Sequence, residues 1–213
     1  MIRLITFEGG DGTGKTTQLK SLENHLGARG IGCTSTREPG GTSLGKLVRQ
    51  VLVEVSEQPI TSPTELFLYL ADRAQHVREV IIPALKAGRV VLCDRYTDST
   101  LAYQGYGRGI DLHLLQTLNT IASEDIRPDL TFLLDCPVEV GLSRTAQRQL
   151  RRSRGAKTED RFEREKMEFH KRVRQGFLEL ARAEPDRIHV IDASRSMQEV
   201  TEAIKKVVDQ KIL

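Results

Sequence analysis

The stretch GGDGTGKTT at residues 9–17 carries Gly9, Gly14, Lys15 and Thr16 at the spacing G-x-x-x-x-G-K-[ST] of a phosphate-binding loop. Gly10, Gly12 and Gly14 let the backbone wrap closely, so that its N–H groups, with those of Asp11 and Thr13, face phosphate oxygens. A helix predicted to start after Gly14, through Lys15, Thr16 and Thr17, adds the partial positive charge of its N-terminus. In such a loop the Lys15 ammonium bridges the β- and γ-phosphates of a nucleotide, and the Thr16 hydroxyl binds Mg²⁺. GTPase switches, motor ATPases and kinases all use this device, so the remaining residues must choose among them.

Positive charge outside the loop is concentrated in RQLRRSRGAKTEDRFE at 148–163, which has five cations in its first ten positions and no acid among them. The whole chain holds 32 Lys and Arg against 29 Asp and Glu. Without this cluster it would be acidic. Polyanion binders spread cations over a long face, because each phosphate contact adds a counterion-release contribution; one short cluster suits a small polyphosphate equally well. Three further motifs combine charge with hydrogen-bonding groups: TREPGGT at 36–42, LYLADRAQH at 68–76 and DRYTDSTLAYQGYGRG at 94–109. Arg37, Asp94 and Arg95 fall at predicted strand ends, where open α/β sheets place ligands. Tyr69 and Arg73 are four apart on a helix, so a ring and a cation share one face, as a base held by stacking and by an edge requires.

These groups need a scaffold, and the hydrophobic pattern supplies one. Short apolar runs at 3–8, 31–37, 89–94, 130–135 and 187–192 alternate with helical stretches. Several are apolar at consecutive positions, as strands covered on both faces must be. The separations leave room for crossover helices, which predicts an α/β fold with a doubly wound parallel sheet of five strands and helices on both faces. No linker divides the 213 residues, and a single domain over 1–213 is expected. Segment 138–152 reads as a helix with Val138, Leu142, Ala146 and Leu150 forming its apolar stripe and Arg144, Arg148, Arg151 and Arg152 on another face. A second helix is expected after Gly155, burying Phe162, Phe169, Val173, Phe177 and Leu180. Like charges on one face cost a few tenths of a kcal/mol per pair, so this region is expected to close when ATP brings opposing charge.

Cys33, Cys93 and Cys136 lie in apolar runs without paired spacing and read as buried thiols, and the five histidines show no metal-gathering pattern. No run approaches the ~20 apolar residues that span a bilayer, so no membrane partner is expected, and a cytoplasmic location is. A guanine-reading NKxD is absent after residue 135, and the chain is short for a motor.

Taken jointly, the phosphate loop, REPGGT, LADRAQH, DRYTDSTLAYQG and DRFE resemble the bacterial thymidylate kinases, in the family's order and over most of the chain. The resemblance implies the P-loop nucleoside monophosphate kinase fold, strand order 2-3-1-4-5 with a helical lid at about 144–157, usual homodimerisation, and transfer of the ATP γ-phosphate to dTMP with Mg²⁺. It implies that Arg37 and Arg95 bind the dTMP phosphate, with Asp94 near Mg²⁺. Arg73 would read thymine O4, Thr100 and Gln104 the N3 edge, and Tyr103 would pack where a 2′-hydroxyl would sit. Asp11 would orient the 3′-hydroxyl or the metal, and Asp160 and Glu163 of DRFE would face the sugar or metal from the start of the second helix. The turn at Glu38-Pro39 often holds a cis peptide in this family, and DASRS at 192–196 would border the adenine. Tyr69 stands where the family commonly has Phe, and its hydroxyl needs a partner or water.

Phosphoryl transfer needs positive charge on the migrating group. Family members carry that arginine either in the phosphate loop or on the lid. Position 12 is Gly, so the resemblance assigns the role to the lid, with Arg148, Arg151, Arg152 and Arg154 as candidates and Arg144 beside the ATP. Another nucleotide kinase with the same loop, and a phosphate-loop regulator that binds RNA through 144–157, are the rival readings. The leading one expects small-molecule partners only and no nucleic acid.

Overall fold

The computed structural model describes residues 3–54, 60–152 and 161–212, with side chains placed at all of these except 151, 152, 163, 164 and 212. Strands β1 (Leu4–Glu8), β2 (Cys33–Arg37), β3 (Val90–Asp94), β4 (Leu130–Asp135) and β5 (Ile188–Asp192) pair in parallel in the order β2-β3-β1-β4-β5. The more apolar runs occupy the three inner positions: β1 and β3 are buried throughout and β4 in all but its last residue. Edge strands β2 and β5 are more polar and partly exposed, as strands covered on fewer sides can be. Inside the sheet, Thr6 and Thr131 satisfy each other at 2.7 Å across the β1–β4 register.

Helices α1 (Lys15–Gly27) and α9 (Met197–Ile212) cover one face, where Leu22, Leu26, Ile204 and Val208 meet Ile5, Phe7 and Phe132. Each buried Leu, Ile or Phe contributes about 1.5–3 kcal/mol. Between β2 and β3 run α2 (Ser43–Val53), α3 (Ser62–His76), a π-helical turn (Val77–Ile81) and α4 (Ile82–Lys86). After β3 come α5 (Thr97–Thr100), a π-helical stretch (Leu101–Gly107) and α6 (Leu112–Ser123). Helix α7 (Val138–Arg152) follows β4, and α8 (Met167–Ala183) precedes β5. Cys93 and Cys136 are buried thiols, Cys33 is half-buried, and all three are free.

The helix over 138–152 forms as expected, but its buried face differs. Ala146 is exposed and Leu150 is 78% exposed, while Gly141 and Thr145 are buried. The cause is the neighbour: α7 lies on the phosphate loop through small residues, and a Cβ on Gly141 would stand 2.4 Å from the Asp11 carbonyl oxygen. Beyond Thr145, Ala146, Gln147, Arg148 and Leu150 are exposed, so the later members of the i, i+4 apolar series are not buried. The second helix begins at Met167 rather than after 155; Phe162 is buried, but from a 3₁₀ turn (Arg161–Arg164) that also carries Glu163. Arg161, Phe162 and Glu163 therefore precede α8 instead of opening it, and Asp160 lies outside the described residues. Phe169, Val173 and Phe177 form the buried stripe of α8, with Leu180 partly covered.

Candidate active site

The loop from Gly9 to Gly14 joins β1 to α1 with Gly14 at φ 93°, so the first-turn N–H groups of α1 open into the cleft beyond the sheet's C-terminal edge. The Lys15 ammonium donates to the carbonyls of Gly9 at 3.0 Å and Gly10 at 2.6 Å. Burial, and then the Arg95 guanidinium, pull it down to about 8 against the carboxylates of Asp94, Asp11 and Glu8. Opposite, at the end of β3, Asp94 accepts from the Thr16 hydroxyl at 2.6 Å and lies 3.9 Å from the half-exposed Arg37. A cleft of about 530 Å³ brings together Asp11, Lys15, Thr16, Thr17, Arg37, Asp94 and Arg95 with Arg144 and Arg148 of α7. Arg144 also donates to the Ala193 carbonyl at 2.8 Å, which ties α7 to the loop after β5.

Gly12 explains itself in this geometry. It has φ 74°, and a Cβ there would stand 2.0 Å from the Gly141 carbonyl oxygen. The absence of an arginine from the loop is thus a packing requirement of α7.

Arg95 sits at φ 72°, a left-handed conformation that a non-glycine residue adopts at a cost of order 1 kcal/mol. Its surroundings over-determine it. The guanidinium donates to Asp11 at 2.7 Å, to the Gly9 carbonyl at 3.0 Å, to Ser99 at 3.2 Å and to the Tyr103 hydroxyl at 3.1 Å. Burial works to raise the Asp11 carboxyl, but Arg95 and then Lys15 outweigh it and hold it below its ordinary value. Behind the loop, fully buried Glu8 accepts from the Tyr96 N–H at 2.7 Å and the Ser99 hydroxyl at 2.5 Å. Burial, with the nearby Asp98 carboxylate, pushes Glu8 up to about 7.

A second, narrower pocket adjoins the first and is lined by Asp11, Tyr69, Arg73, Arg95, Thr100, Tyr103, Gln104 and Phe162, among others. Tyr69 and Phe162 meet with ring centroids 6.5 Å apart. Arg73 is buried and donates to Glu38 at 2.8 Å, Thr100 at 2.9 Å, Asn119 at 2.5 Å and the Tyr96 carbonyl at 3.0 Å. Glu38 also accepts from His76 Nδ1 at 2.8 Å, and Nε2 of the same ring is hydrogen-bonded with the Thr36 hydroxyl at 2.6 Å. The Glu38-Pro39 peptide is cis.

Sequence reasoning thus finds residues that two adjoining pockets gather: the loop, Arg37, Tyr69, Arg73, Asp94, Arg95, Thr100, Tyr103, Gln104 and Arg148. Arg154 and Asp160 lie outside the described residues, as do the side chains of Arg151, Arg152 and Glu163. It misses Glu38 and Asn119, which bind Arg73, and Glu65, which binds Gln104, as well as Glu8 and His76, which stand one bond further back on Ser99 and Glu38. His76 reads from sequence as a packing histidine. Its i, i+3 spacing from Arg73, together with REPGGT ending the neighbouring strand, is the signal that would have drawn it in. Among the described residues no group of three or more His, Cys, Asp or Glu could hold a metal ion.

A family model described as thymidylate kinase matches residues 7–204. The thymidylate kinase of Desulfovibrio desulfuricans is 54% identical over 197 residues, 92% of this chain and 90% of that protein. That of Geobacter sulfurreducens is 51% identical over 208 residues, 98% of this chain and 97% of the other. The crystal structure of thymidylate kinase from Ehrlichia chaffeensis superposes with a TM-score of 0.75 at 36% identity, covering 97% of this chain and 98% of that one.

Proposed function

The chain belongs to the thymidylate kinase family, and from that premise we propose how its own residues carry the γ-phosphate of ATP to dTMP, giving dTDP and ADP. It is an ATP-dependent nucleoside monophosphate kinase. The observation that carries the residue-level reading is the adjacency of two pockets of different character: an open, cation-lined cleft over the phosphate loop and a narrow one walled by Tyr69, Arg73, Tyr103 and Gln104, with Asp11 and Arg95 lining both.

ATP enters over Gly9–Thr17. Lys15 exchanges the Gly9 and Gly10 carbonyls for β- and γ-phosphate oxygens. The dTMP base lies against Tyr69, with Arg73 donating to O4 and the N3 edge on Thr100 and Gln104. Tyr103, whose hydroxyl is engaged by Arg95, closes the sugar region, and Asp11 faces the 3′-hydroxyl. Arg95 and Arg37 hold the acceptor phosphate in line with the γ-phosphate, which is the larger part of catalysis in a reaction that asks little covalent chemistry of the protein. Positive charge on the migrating group comes from α7 and the residues after it, Arg148, Arg151, Arg152 or Arg154, with Arg144 beside the ATP and the 192–196 loop at its adenine.

The Thr16 and Asp94 oxygens suit a Mg²⁺ ion, a hard cation that takes one or two protein oxygens and leaves its other positions to phosphates and water. When bound, it supplies neutralising charge at the β- and γ-oxygens. Homodimerisation is supported by large apolar side chains left exposed on α2, α3 and α6, namely Leu47, Val51, Phe67, Leu114 and Ile121; sedimentation velocity tests it. No helix among the described residues is long and apolar enough to cross a membrane, and we read the enzyme as cytoplasmic, with one domain over 1–213 and a lid at about 144–157.

An ADP-release assay across acceptors tests the whole reading: rapid turnover with dTMP and little with UMP, CMP or AMP is expected. Equal rates across the four would point to a broader nucleotide kinase. Salt-sensitive RNA binding without acceptor-dependent turnover would favour a regulator.

A further inference from the structure

Recognition of the N3 edge by Gln104 depends on which end of its amide faces the base. The two ends have nearly the same shape, and a half-turn exchanges an acceptor for a donor. Thymine presents a donor at N3; cytosine presents an acceptor at the same place. The amide's orientation therefore adds, at N3, to the selection that Arg73 makes at position 4 between a carbonyl and an amino group, and something must fix it.

Gln104 Nε2 donates to Glu65 Oε1 at 2.8 Å, and its carbonyl oxygen has no hydrogen-bond partner among the described residues. Glu65 stands on α3, is 1% exposed, and lies behind the pocket wall instead of lining it. An ionised carboxylate only accepts hydrogen bonds, so it attracts the NH₂ end and repels the carbonyl end. Burial works to raise the Glu65 carboxyl, but bonds from Arg108, Gln104 and Arg161 outweigh it and hold the group below its ordinary value. Arg108 reaches both oxygens, at 3.2 and 3.0 Å, and Arg161 reaches Oε2 at 2.7 Å. Arg108 is itself steadied by Glu165 at 2.7 Å. Two guanidiniums thus keep one buried carboxylate charged, and that carboxylate presents only acceptors to the amide.

We propose that Glu65 is a specificity-determining residue that acts through Gln104: by accepting the amide NH₂, it turns the carbonyl toward the acceptor base and selects thymine over cytosine without touching the nucleotide. The inference rests on the reading of Gln104 as the N3 contact.

The test is steady-state kinetics with dTMP and dCMP on the wild-type enzyme and on Glu65→Gln, Glu65→Asp and Gln104→Ala. The amide created by Glu65→Gln can pair with either end of Gln104. It should raise the KM for dTMP about tenfold with a smaller change in kcat, and lower the dTMP-over-dCMP ratio of kcat/KM by about the same factor. Glu65→Asp keeps an acceptor-only partner and should retain the ratio. Because both acceptors are measured on one preparation, partial unfolding cancels. If Glu65→Gln slows both acceptors equally, or if Glu65→Asp loses the ratio alike, Glu65 is a packing residue and the proposal fails. If Gln104→Ala leaves the dTMP KM and the ratio unchanged, the reading of Gln104 itself falls, and the role of Glu65 with it.

Discussion

Arg73, on the acceptor side of the cleft, is 2% exposed and donates to Glu38, Thr100, Asn119 and the Tyr96 carbonyl, whereas Arg148, across the phosphate loop on α7, is exposed to solvent. The same contrast runs through their neighbours. Arg95 and Gln104 are likewise held by Asp11, Ser99 and Glu65, and the exception is Arg37, which the proposed reading also sets on the acceptor phosphate but which is half-exposed with its nearest carboxylate 3.9 Å away. A group that discriminates one base from another must be fixed before the ligand arrives, because discrimination is lost if the group can turn. A group that neutralises a transferring phosphoryl faces charge that comes only with ATP, and burying it beforehand would incur desolvation with nothing to offset it. On the proposed roles, the base-reading part of the acceptor half is built into the core and the arginines of α7 are completed by the substrate, while Lys15 is already buried on the Gly9 and Gly10 carbonyls.

The sharpest break of this comparison is Lys15→Ala. It should lower kcat on the order of a thousandfold while calorimetry finds dTMP binding intact, since Lys15 serves only the donor half. Glu38→Gln attacks the other half: it removes a buried charge shared by Arg73 and His76, and should cost about 3 kcal/mol of stability in denaturant titration and raise the dTMP KM more than the ATP KM. Next in size is a pH effect. Free Lys15 loses its proton as pH rises through about 8, and ATP favours the charged form. ATP affinity should accordingly fall by up to about tenfold per pH unit above that point, with proton uptake on binding, while dTMP affinity between pH 8 and 9 stays level. The smallest effect is expected from Tyr69→Phe, which keeps the ring and should change the dTMP KM by less than about threefold.

The strands and the loop were legible because each is a local signal: an apolar run, a glycine spacing. All five strands stand where the hydrophobic runs put them. What was not legible is contact between distant segments. Glu38 meets Arg73 across 35 positions and Asn119 meets Arg73 across 46, and neither partner has a pattern that announces the other. The apolar series at 138, 142, 146 and 150 misled for a related reason: spacing shows which residues share a face, but only the neighbour decides which face is covered. On α7 the neighbour is backbone of the phosphate loop, which demands Gly141 and Thr145 in place of large side chains. Gly12 was legible as a missing arginine; its cause, the approach of Gly141, was not.

The division between a prebuilt acceptor half and a donor half completed by lid arginines is tested most directly by measuring the dTMP dissociation constant and the single-turnover transfer rate on Arg152→Ala/Arg154→Ala. The account predicts an unchanged dissociation constant and a transfer rate lowered about a hundredfold. A weakened dissociation constant with an unchanged rate would contradict it.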